Sequence, residues 1–533
     1  MKKIFSLKTL IVLAIIGISQ FECLAQDSYK QAFKFAKFLD YLNTSYVDSV
    51  DSEKIVEDAI ISILKDLDPH STYIPADQLK KMREPLEGNF EGIGISFSIL
   101  NDTLFVISAI AGGPSDMVGI LAGDKILKVD GKNIAGTGLT NEDVFSLLRG
   151  KKGTKVNVTI LRKGSKNELD FLIVRDKIPI YSLDASYMIN ENTGYIKLNR
   201  FSATTVEEFT QAAQQLKSQK ATNLILDLTA NGGGYLDAAV KLADEFLAAN
   251  QRVVYTEGIH SPRQEFLTTQ FGNFETGKVI VLIDEGSASA SEILAGAIQD
   301  WDRGLIIGRR SFGKGLVQRE MLLPDESAVR ITVAQYFTPS GRLIQKPYEN
   351  GVDDYHLEVY QRFSKGELGS ADSIHFPDSL KYKTLIKGRT VYGGGGIMPD
   401  IFVPFDTSYY SNFFRDLIRL GIINSFVLEY VDNNRERLLN EFSEFESFNK
   451  TFEVDEKLFE KLLAYSEKNS LQPSQADLDV SGNYIKLLVK AFLARDLYGQ
   501  SEFYQIYNTT NQTYNKAIEV LENWNEVELN VLH

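Results

Sequence analysis

Cysteine is all but absent from this sequence: Cys23 is the only one among 533 residues. A single thiol makes no intrachain disulfide and no Cys-based metal site. Histidine is scarce too, at five, and no two stand at ligand spacing, so neither a metal nor another cofactor is expected. Positive charge is in deficit, with 57 Lys and Arg against 71 Asp and Glu and a net charge of -14. Nucleic acid and anionic membrane surfaces both require a cationic face, so neither is an expected partner. The acidic surplus serves solubility.

What is present is globular, at 44% hydrophobic and 24% charged residues. The chain exceeds what one core holds, so three or more units are expected. Residues 1–25 read as a secretory signal. Lys2, Lys3 and Lys8 precede the apolar stretch Leu10–Ile18, and Cys23 and Ala25 supply small residues at −3 and −1 of a cut after Ala25. The stretch is shorter than the roughly 20 residues a spanning helix takes. Gln20-Phe21-Glu22 makes a poor lipoprotein signal before Cys23. The mature chain would lack cysteine altogether, and its expected place is a bacterial periplasm or cell envelope.

Periodicity divides the rest. Residues 26–84 carry helical spacing, with Phe35, Phe38, Leu39 and Leu42 on one face and Ile55, Ala59, Ile63 and Leu67 on another, until Asp68-Pro69. A helical cap or dimerisation arm is expected there. Residues 85–176 alternate as strands do, with Gly-rich turns and one helix at 140–148. From 177 to 405 strand runs alternate with helices at 205–219, 235–248 and 289–300, an α/β layered core with a hairpin turning at Pro324-Asp325. Residues 349–390 look charged and irregular, a surface insertion. Residues 406–533 are helical and carry no chemical motif.

Three stretches could carry chemistry. In Gly286–Leu294 a buried strand meets a small-residue turn, and a helix begins near Ser289. The free N–H groups of a helix N-terminus suit an oxyanion, so Ser289 reads as a nucleophile. Taken alone, the stretch reads better with Ser289 as the cap of a capping box with Glu292. In Ser311–Gln318, Lys314 lies among apolar and Gly residues with no acid from Gly304 to Arg319. Such surroundings lower an amine's pKa and make it a base. None of the histidines at 70, 260, 356, 375 and 533 sits at a strand end flanked by Gly. Gly308–Gly315 mimics a phosphate loop, but Gly315 replaces the metal-binding hydroxyl and a β-like run follows. In Asn231–Gly234 a strand runs into three glycines, either a tight turn or backbone N–H groups offered to a reacting carbonyl.

Together these stretches, with Leu67–Ser71 and Gly393–Asp400, resemble the carboxyl-terminal processing (tail-specific) peptidases over about residues 30–405. The resemblance implies Ser289 as nucleophile, Lys314 as base, Gln318 as its orienting partner, and the N–H groups of Ala290 and Gly233 as oxyanion hole. Many members have Arg where Thr229 stands, so an ion pair made by that Arg would be missing. Gly92-Ile93-Gly94-Ile95 resembles the carboxylate-binding loop of PDZ domains, where a peptide C-terminus adds a strand to the sheet edge.

The expected fold is therefore multidomain α+β: an N-terminal helical arm, a β-rich PDZ-like domain, an α/β layered, crotonase-like peptidase core and a helical C-terminal extension. The expected function is a serine endopeptidase that cuts protein substrates recognised at their C-terminus. A homodimer through the terminal helical regions and an activating adaptor are further partners compatible with that reading. The competing readings are a non-catalytic binding protein on the same scaffold and a His-dependent PDZ protease, and the latter lacks its Gly-x-Ser-Gly-Gly loop.

Overall fold

The computed structural model describes residues 29–269 and 272–531; the signal reading of residues 1–25 lies outside them. Helix α1 (29–45) and α2 (Ser52–Leu67, capped by Asp51) form the arm. The inward face of α2 is Ile60 and Leu64, which meet Tyr73 and Val329, while Ile63 and Leu67 face solvent. The expected stripe was thus rotated by about one residue, because the partner surface is small and sits to one side. Asp68-Pro69 ends α2, and the chain then enters the α/β core earlier than expected. Strand β1 (Thr72–Ile74) pairs antiparallel with a strand of the core, Thr72 opposite Arg330. Helix α3 (Ala76–Glu87) follows and ends on Gly88 at φ 74°, a left-handed position that glycine takes without strain.

Strand β2 (Asn89–Gly92) leads into a domain of β3 (Ile95–Leu100), β4 (Thr103–Ala109), the short α4 (Pro114–Met117), β5 (Lys125–Val129), β6 (Lys132–Asn133), α5 (Asn141–Leu148), β7 (Lys155–Leu161) and β8 (Leu169–Val174). The sheet order β3-β4-β5-β7-β8 closes over Leu104, Val106, Ile126, Val144 and Ile160. The inward residues alternate in β4 (Leu104, Val106) and β7 (Val156, Val158, Ile160), as a half-buried antiparallel sheet requires, while a register shift in β5 separates Ile126 from Val129. Strand β9 (Asp176–Pro179) pairs with β2, Gly92 opposite Asp176, so the domain's entry and exit run side by side.

The core holds β10 (Leu183–Met188), β11 (Thr193–Leu198), α6 (Thr205–Ser218), β12 (Asn223–Asp227), α7 (Leu236–Ala243), β13 (Arg252–Gly258), β14 (Ser261–Leu267), β15 (Val279–Ile283), α8 (Ala290–Asp300), β16 (Leu305–Gly308), β17 (Leu316–Leu322) and β18 (Ala328–Phe337). Next come α9 (Val352–Ser364), β19 (Lys381–Lys383), β20 (Thr390–Tyr392) and β21 (Ile401–Phe402). One sheet runs β10-β11-β12-β15-β16-β21 and is parallel except for its first pair. A second contains β1-β18-β13-β14, with β17 on β18 as the expected hairpin.

Buried parallel strands read as continuous apolar runs because both faces need cover. Helices α6, α7 and α8 cover one face, against Leu224, Leu226, Val279 and Val281. The other face meets the C-terminal region. That region comprises α10 (Asn412–Arg419), α11 (Ile422–Glu441), α12 (Phe445–Thr451), α13 (Glu456–Lys468), α14 (Gln475–Leu497), α15 (Gln500–Tyr507), α16 (Gln512–Glu522) and α17 (Trp524–Val531). Its first six helices build their own core around Phe426, Phe448, Phe459, Ile485 and Ile506. Then Tyr514, Ala517, Val520 and Leu521 of α16 close over Tyr195, Ile225, Ile280 and Leu282. The C-terminal region is thus a layer of the core rather than an appendage to it. Removing a buried ring there should register in the sheet: Tyr514→Ala, whose ring meets Tyr195 edge-on at 5.4 Å, is expected to cost about 3 kcal/mol. Calorimetry should show the transition of the α/β core falling while that of the domain spanning β3–β8 stays.

Candidate active site

Strand β15 ends at Ile283, and a tight turn carries the chain to Ser289 at the head of α8. Ser289 has φ 57° and ψ −113°, outside the extended backbone of an ordinary N-cap, and a non-Gly residue held there is strained. Ser289 and Glu292 do form the expected capping box, whose firm half is the Glu292 carboxylate accepting from the Ser289 N–H at 2.8 Å. Ala290 is the first helical residue, and its N–H has no partner within the helix.

The glycine loop lies against this turn. A Cβ on Gly233 would stand 2.6 Å from the Ala288 carbonyl and 2.8 Å from Ser289 Cβ, at φ +94°. Asn231 binds the two loops together: its carbonyl accepts from Ala288 N at 3.0 Å and Ser291 Oγ at 2.8 Å. Its side-chain oxygen accepts the Gly233 N–H at 2.9 Å. That N–H must shift or share its bond before it can meet an oxyanion. At Thr229, where an Arg had been missed, Lys197 supplies the cation. Its Nζ lies 3.0 Å from Thr229 Oγ1 and 3.2 Å from Asp227.

Lys314 stands on the loop between β16 and β17, and with Ser289, Gln318 and the 232–234 glycines it lines one cavity of about 580 Å³. Its Nζ makes no hydrogen bond or ion pair among the described residues, and Ser289 and Lys314 are not directly bonded. The Gln318 amide turns to Thr332 Oγ1 at 3.2 Å rather than to Lys314, and Thr332 donates to Asp68 at 3.0 Å. Burial lowers the Lys314 pKa, Arg330 lowers it further, and Glu292 and Asp68 partly oppose them.

Two buried side chains bracket the loops that hold Ser289 and Lys314. Glu292 accepts from Ser289 N, from Ser311 Oγ at 2.5 Å, from Gly313 N at 2.7 Å and from Lys314 N at 2.9 Å. Burial pushes its carboxyl up while these donors pull it back. Tyr336 Oη lies 3.2 Å from the Ser289 carbonyl and also donates to that of Lys314. The 393–396 glycines, which had no account in the sequence, now gain one in part. A Cβ on Gly396 would meet the Ser311 carbonyl at 2.7 Å, so only bare backbone fits against the lysine loop there.

His70 was assigned to the arm, away from any site. It stands behind the lysine loop instead, sharing a 2.8 Å hydrogen bond with Tyr355 Oη, and burial with the nearby Lys314 charge holds it down to about 3. It is neutral and does not line the cavity. His260 lies on the exposed β13–β14 turn.

In the β-rich domain Gly94 takes φ +76°, and a Cβ there would stand 3.0 Å from Ile178 Cδ1. Ile93 is buried, and its carbonyl accepts both Ser115 N at 3.0 Å and Ser115 Oγ at 2.7 Å. The loop 92–95 is therefore held from behind by Ser115.

Residues 192–354 match peptidase family S41, and residues 92–173 match the PDZ domain. Residues 413–499 match a family of unknown function. A carboxy-terminal-processing protease of Bartonella bacilliformis is 40% identical over 325 residues, covering 60% of this chain and 74% of that protein. The chain belongs to the carboxy-terminal processing proteases of family S41. The carboxy-terminal processing protease CtpA of Bacillus subtilis is 35% identical, over 63% of this chain and 73% of that protein. Among solved structures, a photosystem II D1 C-terminal processing protease is 31% identical over 57% of this chain and 82% of that one, with a TM-score of 0.33.

This carboxy-terminal processing protease is a serine peptidase with a PDZ domain, and its sequence hid part of its site. Glu292 was legible only as a cap, since the donors at 311–314 arrive through the fold. Tyr336 lies inside an ordinary strand pattern and gave no signal. Asp68 was quoted only within a motif, although its carboxylate gathers His70 N, Ser71 N and Thr332 Oγ1. Glu292→Gln should test the bracket, because each Glu292 oxygen faces two donors and an amide NH₂ in either place leaves a backbone N–H unmatched. The expected loss is about 1–3 kcal/mol, together with slower labelling of Ser289 by a fluorophosphonate. Unchanged melting and labelling would remove Glu292 from its place between the loops.

Proposed function

We propose that this chain is an endopeptidase that captures exported proteins by their C-terminus through the PDZ domain and cuts them with a Ser-Lys dyad. The observation that carries the reading is a lysine with a lowered pKa and no carboxylate on its amine, sharing one cavity and one buried bracket with a strained serine. Neutral Lys314 takes the proton from Ser289 Oγ as that oxygen attacks the scissile carbonyl. The oxyanion forms beside the Ala290 N–H at the helix head, with Gly233 as second donor once it leaves Asn231. Collapse expels the amine, which takes the proton from Lys314, and water activated by the same lysine hydrolyses the acyl-enzyme. Serine and lysine close on each other when substrate fills the cavity, as catalytic bonds commonly tighten. Gln318 lines that cavity and is the proposed partner of the amine.

Residues 1–25 support export to the periplasm or envelope, and among the described residues no helix is long and apolar enough to cross a membrane. The parallel sheet covered by α6, α7 and α8 on one face and by α16 on the other supports a crotonase-like core. The exposed aromatic face of α1, including Phe33 and Phe38, supports a second copy of the chain as a partner. An activating adaptor is the remaining partner class.

Ser289→Ala and Lys314→Ala should each abolish peptide hydrolysis in a folded protein, and the double change should cost little more than either. Full activity in Lys314→Ala would refute the dyad.

The pH dependence follows from the direction of the Lys314 shift. Below its lowered pKa the amine is charged and idle, so activity should climb as pH rises through that value, below the usual lysine range. Lys314→Arg should be inactive at every pH. A profile that Lys314→Arg leaves unchanged would count against a lysine base.

Recognition should separate from chemistry. Gly94→Asp puts a side chain at φ +76° and a negative charge beside the incoming carboxylate. Cleavage of a peptide with a free apolar C-terminus should fall, labelling of Ser289 should persist, and amidating the peptide should reproduce the loss. Equal cleavage of free and amidated peptide by both enzymes would show that residues 92–95 do not read chain ends.

A further inference from the structure

The supposed surface insertion contains α9, whose exposed side chains include the apolar Leu357 at 50%, Tyr360 at 75% and Phe363 at 62% beside Asp353, Asp354 and His356. Its inward face carries Tyr355, Glu358 and Arg362, with Arg362 only 1% exposed. Apolar core packing alone does not explain so polar an inward face. The inward groups meet the lysine loop. Arg362 Nη1 donates to the Ser311 carbonyl at 2.8 Å and the Arg310 carbonyl at 3.3 Å, and Nη2 to the Phe312 carbonyl at 3.0 Å. Its Nε is fixed by Glu358 at 2.7 Å. Glu358 also pairs with Arg310 at 3.2 Å and Lys346 at 3.0 Å. Burial would push the Glu358 carboxyl up, but these cations, Arg362 first, hold it down to about 2. From the same side Tyr355 Oη accepts from Gln345 at 3.3 Å, and Gln345 accepts the Gly315 N–H at 2.8 Å.

We infer that α9 is a brace for the general base, with Arg362 as the positioning residue that fixes the three peptide planes leading to Lys314. The inference rests on the reading of Lys314 as the base. Glu292 holds the N–H groups of Gly313 and Lys314 from the opposite side. Arg362 takes the three carbonyls just before them, so the loop is gripped on both polar edges. One planar guanidinium serves three successive carbonyls in a way that a lysine ammonium, a single point of charge, does not. The match to family S41 ends at residue 354, so α9 lies almost wholly beyond it.

The test uses the full chain and a cleavable peptide, comparing Arg362→Ala and Arg362→Lys with the unchanged enzyme. A catalytic group misplaced by about 1 Å can cost about a hundredfold in rate. Arg362→Ala should therefore lower kcat about tenfold or more at a nearly constant KM. Millimolar guanidinium should restore much of the loss by refilling the vacated pocket, and Arg362→Lys should fall between the two. Amide exchange should quicken at Gly313 and Lys314 and stay unchanged in the PDZ domain. If Arg362→Ala does not fold, Arg362→Lys decides alone: a lower kcat at constant KM supports the brace. Either variant folded with the original kcat overturns it, as does a loss that guanidinium fails to restore with exchange quickened throughout the core. Lys314→Ala assayed beside them keeps the two readings apart. If that protein is inactive while Arg362→Ala is fully active, only the brace is lost; if Lys314→Ala is active, the dyad is lost.

Discussion

The carboxylate of Glu292 is the interaction on which the rest of the site depends. Two loops separated by more than twenty residues deliver their backbone N–H groups to it, Ser289 from one and Gly313 and Lys314 from the other. A buried charge is tolerated only when donors surround it, so the acid cannot persist unless both loops arrive together. Tyr336 completes the arrangement from the carbonyl side. The relation of serine to lysine is thereby set by backbone contacts, and the lysine amine has no hydrogen bond or ion pair among the described residues. The proposed proton transfer depends on that freedom, since a carboxylate bonded to the lysine amine would hold it charged.

The surroundings then impose opposite demands on the two residues. Ser289 is held at a backbone angle that side chains avoid. Lys314 is kept where its charge is poorly solvated, with Arg330 adding to the cost. Both conditions destabilise the residue concerned and are maintained by the packing around it. The glycines at 233, 313 and 396 contribute by omission, because backbone lies so close on backbone that a Cβ would force the loops apart.

Much of this was legible in the sequence, and the division has a physical basis. Strand runs such as Val279–Ile283, the hairpin at Pro324-Asp325 and the turns around Ser289 and Lys314 are local patterns, and local patterns are what sequence displays. Glu292 seemed only to cap its own helix because its other donors come from a distant loop. Segment 349–390 looked irregular because the buried face of α9 is made of Tyr, Glu and Arg, which hydropathy reads as surface. Gln318 was paired with the lysine by resemblance, yet in the fold Thr332 on the neighbouring strand is nearer to hand. The cover given by α16 was hidden for the same reason: Tyr514, Ala517 and Val520 make a convincing amphipathic stripe, but nothing local names the sheet they face.

That cover has a consequence for the order of events in a newly made chain. The sheet that ends in the serine turn has one face closed by helices that lie within it in sequence, and the other by residues 514–521. Domains settle from the N-terminus as they emerge, so the PDZ domain, complete by residue 176, can form long before the catalytic sheet has both faces dry. Until residues 514–521 are present, the strands that lead to the Ser289 turn keep an apolar face in water and the site has no rigid floor. A protease built in this sequence is late by construction: its recognition module exists first, and its cutting edge is finished last.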